Sequence, residues 1–145
     1  MILPNFKNFP KKGRILGIDW GAMRTGIAVS DENQKMVFVR DVMVGKNNID
    51  KIIKITTSDN IAGIVIGLPL RLDGSDSDTT GMVRDFAGSL SNKVNIPIVF
   101  IDETLTSLCA QADMGRISKV DIKQKLDSES ARVILENAIS MINRT

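Results

Sequence analysis

The sequence predicts an α/β sandwich whose core is a mixed five-stranded sheet, an antiparallel meander followed by alternating helices and strands, with helices on both faces. Three observations lead there. Short apolar segments rich in β-branched residues come first, around 14–20, 25–30 and 36–44. Two more apolar runs, Ile61 to Gly67 and Ile98 to Ile101, then alternate with stretches whose apolar residues recur every three or four positions. Finally, 145 residues that are 43% apolar and 25% charged suit one compact domain and not a disordered chain.

Each element has its own signal. Residues 1–13 read as a flexible basic tail, because Lys7, Lys11, Lys12 and the adjoining Arg14 have no acid among them. Residues 14–145 form the domain. Its first strand, Arg14 to Trp20, is interrupted by Gly21, and Thr25 to Ser30 resumes the sheet. After the polar turn Asp31 to Gln34, Met36 to Val44 completes the meander. Gly45 and Asn47-Asn48 end it, and Ile49, Ile52 and Ile53 mark a short helix to about Ser58. Ile61 to Gly67 is a strand buried on both faces, stopped by Leu68-Pro69.

A polar loop, Arg71 to Asp76, precedes a helix capped by Asp78 or a neighbouring hydroxyl, with Met82, Val83, Phe86, Ala87 and Leu90 as its apolar stripe. Pro97 opens the strand Ile98 to Ile101, which ends in Asp102-Glu103. Leu105, Leu108, Cys109 and Ala112 then mark a helix closed by Gly115, which makes Cys109 a packing residue. After a basic loop, Asp127 or Ser128 caps a final helix that buries Ala131, Ile134, Leu135, Ala138 and Ile142.

Absences narrow the chemistry. Histidine and tyrosine are missing and Cys109 is the single cysteine. Ser-His-Asp and Cys-His catalysis are excluded, as are zinc sites of the Cys/His kind and internal disulfides. Catalysis would run on carboxylates, hydroxyls, lysine and arginine, and a metal would be held by oxygen, which favours Mg2+ or Mn2+. The longest apolar stretch, Ile61 to Leu70, is too short and interrupted to cross a bilayer, and the first residues lack the order of a secretory signal. A cytoplasmic protein is expected.

Three acids stand where strands end or helices begin. Asp19 closes an apolar strand, where an ionisable group needs a partner, although an aspartate bonding to its own turn is an equal reading. Glu103 follows a second apolar strand, with Asp102 its rival. Asp127 reads first as an N-cap. Three carboxylates from distant stretches are what a pair of hard cations would require. Gly67 to Ser75 adds a glycine-containing loop in which Arg71 and Ser75 are placed to hold a phosphate, without the ending of a P-loop.

Gly17-Ile-Asp-Trp-Gly-Ala-Met-Arg-Thr-Gly-Ile-Ala-Val-Ser-Asp31, Ile66-Gly-Leu-Pro-Leu-Arg-Leu-Asp-Gly-Ser75, Asp102-Glu-Thr-Leu-Thr106 and Asp127-Ser-Glu-Ser-Ala131 together resemble the YqgF family, also called RuvX-type Holliday junction resolvases. The likeness runs from about Gly13 to Ile142 in matching order. It implies a ribonuclease H-like fold and a divalent-metal nuclease that matures the 5′ end of the 16S ribosomal RNA precursor, junction resolution being the older assignment. By position, the family's acids fall on Asp19, Glu103 and Asp127. Two departures stand out: Thr104, followed by Ser107, replaces the arginine usual after the glutamate, and Ser130 precedes Ala131.

Asp19-Trp-Gly21 followed by Gly26-Ile-Ala-Val29 also looks like the first phosphate loop of the actin, Hsp70 and sugar-kinase ATPases. Those proteins close two such domains over nucleotide, and this chain has room for one. A nucleic-acid-binding module without catalysis is the other rival. The expected nuclease uses Asp19, Glu103 and Asp127 as metal ligands and Arg24, Arg71, Ser75, Arg116, Lys119, Lys123 and Lys125 to position phosphate on structured RNA or branched DNA. Cutting two junction strands would call for a homodimer.

Overall fold

The computed structural model describes residues 1–45, 48–102 and 119–145. Its elements are β1 (Ile2–Leu3), β2 (Arg14–Asp19), β3 (Arg24–Ser30), β4 (Val37–Val44), α1 (Ile49–Ser58), β5 (Ile61–Leu68), α2 (Asp78–Ser91), β6 (Ile98–Asp102) and α3 (Lys119–Asn143). The strands form one sheet in the order β1-β6-β5-β2-β3-β4. Strands β2, β3 and β4 are the expected antiparallel meander. β5 runs parallel to both β2 and β6, so the carboxyl ends of β2, β5 and β6 open on the same side.

Alternation along the strands separates two cores. Leu16, Ile18, Ile27, Ile64 and Ile66 face α1 and α2, where they pack with Ile52, Val83, Phe86 and Leu90. Ile15, Ala28, Val65, Val99 and Ile101 face α3, where they meet Ala131, Ile134, Leu135, Ala138 and Ile142. The expected helices on both faces are therefore present. Helix α2 starts at a capping box, in which Ser77 accepts from the Thr80 amide and Thr80 accepts from the Ser77 amide. Among the described residues no helix is long and apolar enough to cross a membrane.

Four expectations require correction. The sheet has six strands, because Ile2 and Leu3 pair with Ile98 and Val99. Residues 1–13 are not a detached tail: Phe6 and Phe9 are buried, 5.3 Å apart edge to face, and Phe9 covers Gly63. Gln34 Nε2 donates to the carbonyls of Pro10 and Gly13, both at 3.1 Å, and fixes the segment's exit. Asp127 and Ser128 do not cap the last helix, which begins at Lys119 and absorbs much of the expected basic loop. Cap preference is local, and 119–127 contains no glycine or proline to stop a helix. Met82 is 51% exposed, one position off the buried stripe of α2. The helix expected over 105–115, with Cys109, lies outside the described residues.

The packed amino terminus has a measurable consequence. Phe9→Ala removes a buried ring and is expected to lower unfolding free energy by about 3–5 kcal/mol in denaturant titration. A detached segment would leave stability unchanged.

Candidate metal and phosphate site

Gly17 sets the geometry of the carboxyl end of β2. A Cβ there would lie 2.9 Å from Leu135 Cβ and 3.2 Å from the Ala131 carbonyl oxygen, so any side chain would push α3 off the sheet. Only glycine lets the helix sit this close. The helix runs opposite to β2, since Lys11, just before the strand, donates from Nζ to the Thr145 oxygen at 2.7 Å, just after the helix.

From Gly17 to Asp19 the strand advances about 7 Å. From Ala131 back to Asp127 the helix advances about 6 Å in the same direction. Two distant acids thus have their backbones at one level. Asp19 is half-buried and falls on the α3 face by alternation with Ile15 and Gly17. Its neighbour Trp20 turns the other way and packs on Phe86, with ring centroids 6.0 Å apart, which commits it to the opposite core.

Glu103 and Arg116 lie outside the described residues, and of Asp127, Lys119, Lys123 and Lys125 the backbone alone is described. Of the two rivals Asp102 and Glu103, only Asp102 is described, as the last residue of β6. Ile98 and Phe100 belong to the α1/α2 core and Val99 and Ile101 to the α3 core, so Asp102 falls on the face away from Asp19. Among the described residues no group of three or more Asp, Glu, His or Cys side chains is placed to share a metal.

Arg24 opens β3 two residues before Gly26, the partner of Asp19 across the sheet, and so falls on the same face as Asp19. Its Nη1 is buried without a hydrogen-bond partner among the described residues. A buried unsatisfied donor costs about 1–3 kcal/mol, and an incoming phosphate oxygen would remove that cost.

The loop after β5 leaves from the same end of the sheet. Gly74, at φ 86°, turns it, Leu70 pairs with Asp76, and Asp73 accepts from the Ser75 amide at 2.9 Å and the Ser75 hydroxyl at 2.6 Å. Those Ser75 bonds hold the Asp73 carboxyl below the usual aspartate range. Arg71 is exposed, whereas the Ser75 hydroxyl would have to leave Asp73 to reach a phosphate. Sequence reasoning missed the anchor of this loop, Thr80 Oγ1 donating to the Pro69 carbonyl; the Ser77-x-x-Thr80 spacing before an apolar stripe was the available signal.

Asp76 receives Arg84 through Nε at 2.9 Å and Nη2 at 3.1 Å, and this bonding lowers its carboxyl from the ordinary 3.8. Because the folded value is depressed, the pair's contribution is present above the unfolded value and is lost as pH falls through the lowered one. Carboxyl NMR should place the Asp76 midpoint below 3.8 and move it upward in Arg84→Gln. An unchanged midpoint would deny the pair. Gly17→Val is expected to cost about 1–3 kcal/mol by overpacking against Leu135, read by denaturant titration.

Residues 13–141 match a family profile described as "RuvX: Holliday junction resolvase". The chain is similar to a protein of Maridesulfovibrio salexigens, 40% identical over 128 residues that cover 85% of this chain and 95% of that protein. It is also similar to one of Orientia tsutsugamushi, 36% identical over 139 residues that cover 92% and 88%. Both are named "Putative pre-16S rRNA nuclease". Among solved structures, T. thermophilus RuvC in complex with Holliday junction substrate superposes with TM-score 0.57 at 11% identity, over 92% of this chain and 97% of that one. The yeast mitochondrial Holliday junction resolvase gives 0.54 at 13%, over 94% and 81%. At such identities the likeness is one of fold, and it bears out the ribonuclease H-like architecture.

Proposed function

The chain belongs to the RuvX family of Holliday junction resolvases, and from that premise we propose that it is a divalent-metal-dependent nuclease that hydrolyses phosphodiester bonds, with Asp19, Glu103 and Asp127 holding the ions. What supports this reading is the close seat of α3 on Gly17, from which regular strand and helix rises bring the backbones of Asp19 and Asp127 to about one level. The donors fit the group: carboxylate oxygens in a chain without histidine suit Mg2+ or Mn2+. Bound there, such ions supply Lewis acidity toward water and toward the leaving oxygen.

The chain's own residues do the rest. Asp19, half-buried as the last residue of β2, offers a hard carboxylate oxygen to a cation at that end of the sheet. Arg24 offers its unsatisfied Nη1 to a phosphate oxygen on the same face, and exposed Arg71 reaches toward the flanking backbone. Arg116, Lys119, Lys123 and Lys125 are assigned as further phosphate contacts by their charge, and Ser75 is the weakest member of the set because Asp73 already holds it. With no imidazole available, protons pass between water and carboxylate.

We assign structured RNA, the precursor of 16S ribosomal RNA, as the substrate, following the names that the relatives carry; branched DNA, cut by a homodimer, is the second reading, following the family's description. The site of action is the cytoplasm. The test is cleavage of both substrates with Mg2+ or Mn2+ by the wild type and by Asp19→Asn. Cleavage by the wild type and a loss of about 100-fold or more in the variant are expected, in line with removal of one electrostatic group from a reacting centre. Equal cleavage by the two would contradict the metal mechanism. Binding without cleavage by either would instead make the protein a recognition module, and phosphate release from ATP would revive the kinase-like reading.

A further inference from the structure

We infer that the end of the sheet opposite Asp19 is a second anchor for the sugar-phosphate backbone, so that the substrate is a double helix long enough to touch both ends of the molecule. This rests on the nuclease reading. The amino-terminal segment is held against the domain by buried Phe6 and Phe9 and by the Gly13 amide, which donates to the Glu32 carbonyl at 2.7 Å. Lys7 thereby shares a recess with Arg144 and Thr145, Lys11 bonds the Thr145 oxygen, and Lys12 and Arg14 border a second recess with Glu32 and Asn33 at the same end of the sheet. Lys35, in the turn from β3 to β4, and Lys93, after α2, lie at the same end of the sheet.

Acids there are fewer and mostly engaged. Asp31 accepts from the amides of Lys35 at 2.7 Å and Met36 at 2.9 Å, and Asp59 takes Arg40 at 3.0 Å. Glu32 stands in the patch itself. Lys7, Lys12 and Arg144 are exposed and take part in none of the ion pairs formed among the described residues. Solvated lysines need no partner, but here they border two recesses. One, of 320 Å³, is lined by Lys12, Arg14, Glu32, Asn33 and Asn60. The other, of 630 Å³, has Phe6 and Met141 between Lys7 and Arg144. Cations spread over both suit a line of phosphates better than one carboxylate of a peptide.

From Arg14 to Asp19 is about 17 Å along β2. Phosphates of one strand advance about 3.4 Å each along the axis of a DNA duplex and somewhat less along an A-form RNA helix, so an arm of roughly five or six base pairs beyond the scissile bond would reach the basic end. A shorter arm would not.

The test separates binding from chemistry by using the full chain with Asp19→Asn. Its affinity for an RNA hairpin of about 20 base pairs is measured over a salt series, with and without Lys7→Ala, Lys12→Ala and Arg144→Ala; loss of three phosphate contacts should lower the log-log salt slope by about 2 to 3. These side chains are exposed, so an unchanged melting temperature is expected, and Lys7→Arg with Lys12→Arg should keep the original slope. In the wild-type background the triple variant should cut hairpins poorly and arms of about three base pairs normally. An unchanged slope and affinity overturn the anchor while leaving cleavage intact, and an acidic apolar peptide captured at this end with RNA binding unaltered overturns it as well. Failure of the wild type to cut any substrate would sink the nuclease reading, whereas the salt slope would still report on the anchor.

Discussion

The contact between α3 and the bare Cα of Gly17 is the constraint from which the rest of the site follows. The helix covers one whole face of the sheet with Ala131, Ile134, Leu135, Ala138 and Ile142, and that burial supplies its stability. Its depth, however, is decided at one point, where Leu135 and the Ala131 carbonyl meet a strand without a side chain. Since interiors are close-packed, a helix seated there cannot shift by an ångström without opening a void along its length. The amino-terminal half of α3 is thereby held over the carboxyl end of β2, where Asp19 is the last strand residue.

The same sheet sorts its side chains by parity. Alternation sends Asp19 and Arg24 to the α3 face, and Trp20 and Asp102 to the other. A site built from strand ends needs this discipline, because a slip of one residue would move each group through the sheet. At the far end the amino-terminal segment closes the α3 core with Phe6 and Phe9, so a stretch that reads as basic and unstructured has an apolar underside and a charged outer face.

Much of this was legible in the sequence, for physical reasons that differ by element. β5 and β6 declare themselves through apolar runs rich in β-branched residues, and the stripe of α3 from Ala131 to Ile142 through its spacing. The amino terminus reads as a tail because Lys7, Lys11, Lys12 and Arg14 stand there with no acid among them, although Phe6 and Phe9, three apart, are a sign of burial. The start of α3 was misread because an aspartate followed by a serine satisfies the local rule for a cap, and a local rule is silent about whether the preceding turn is also helical. Asp19 and Arg24 were legible by position alone. That they share a face depends on register across β2 and β3, and the role of Gly17 depends on a helix over a hundred residues away, which no local pattern reveals.

The central claim is that the seating of α3 brings Asp19 and Asp127 to one metal. Paramagnetic broadening by substoichiometric Mn2+, followed on backbone amide signals, tests it most directly. The account predicts selective loss of the signals of residues around 19–21 and around 127, with those of Arg14, Lys12 and Arg144 preserved. Broadening confined to other acids, or around residue 19 without residue 127, would contradict it.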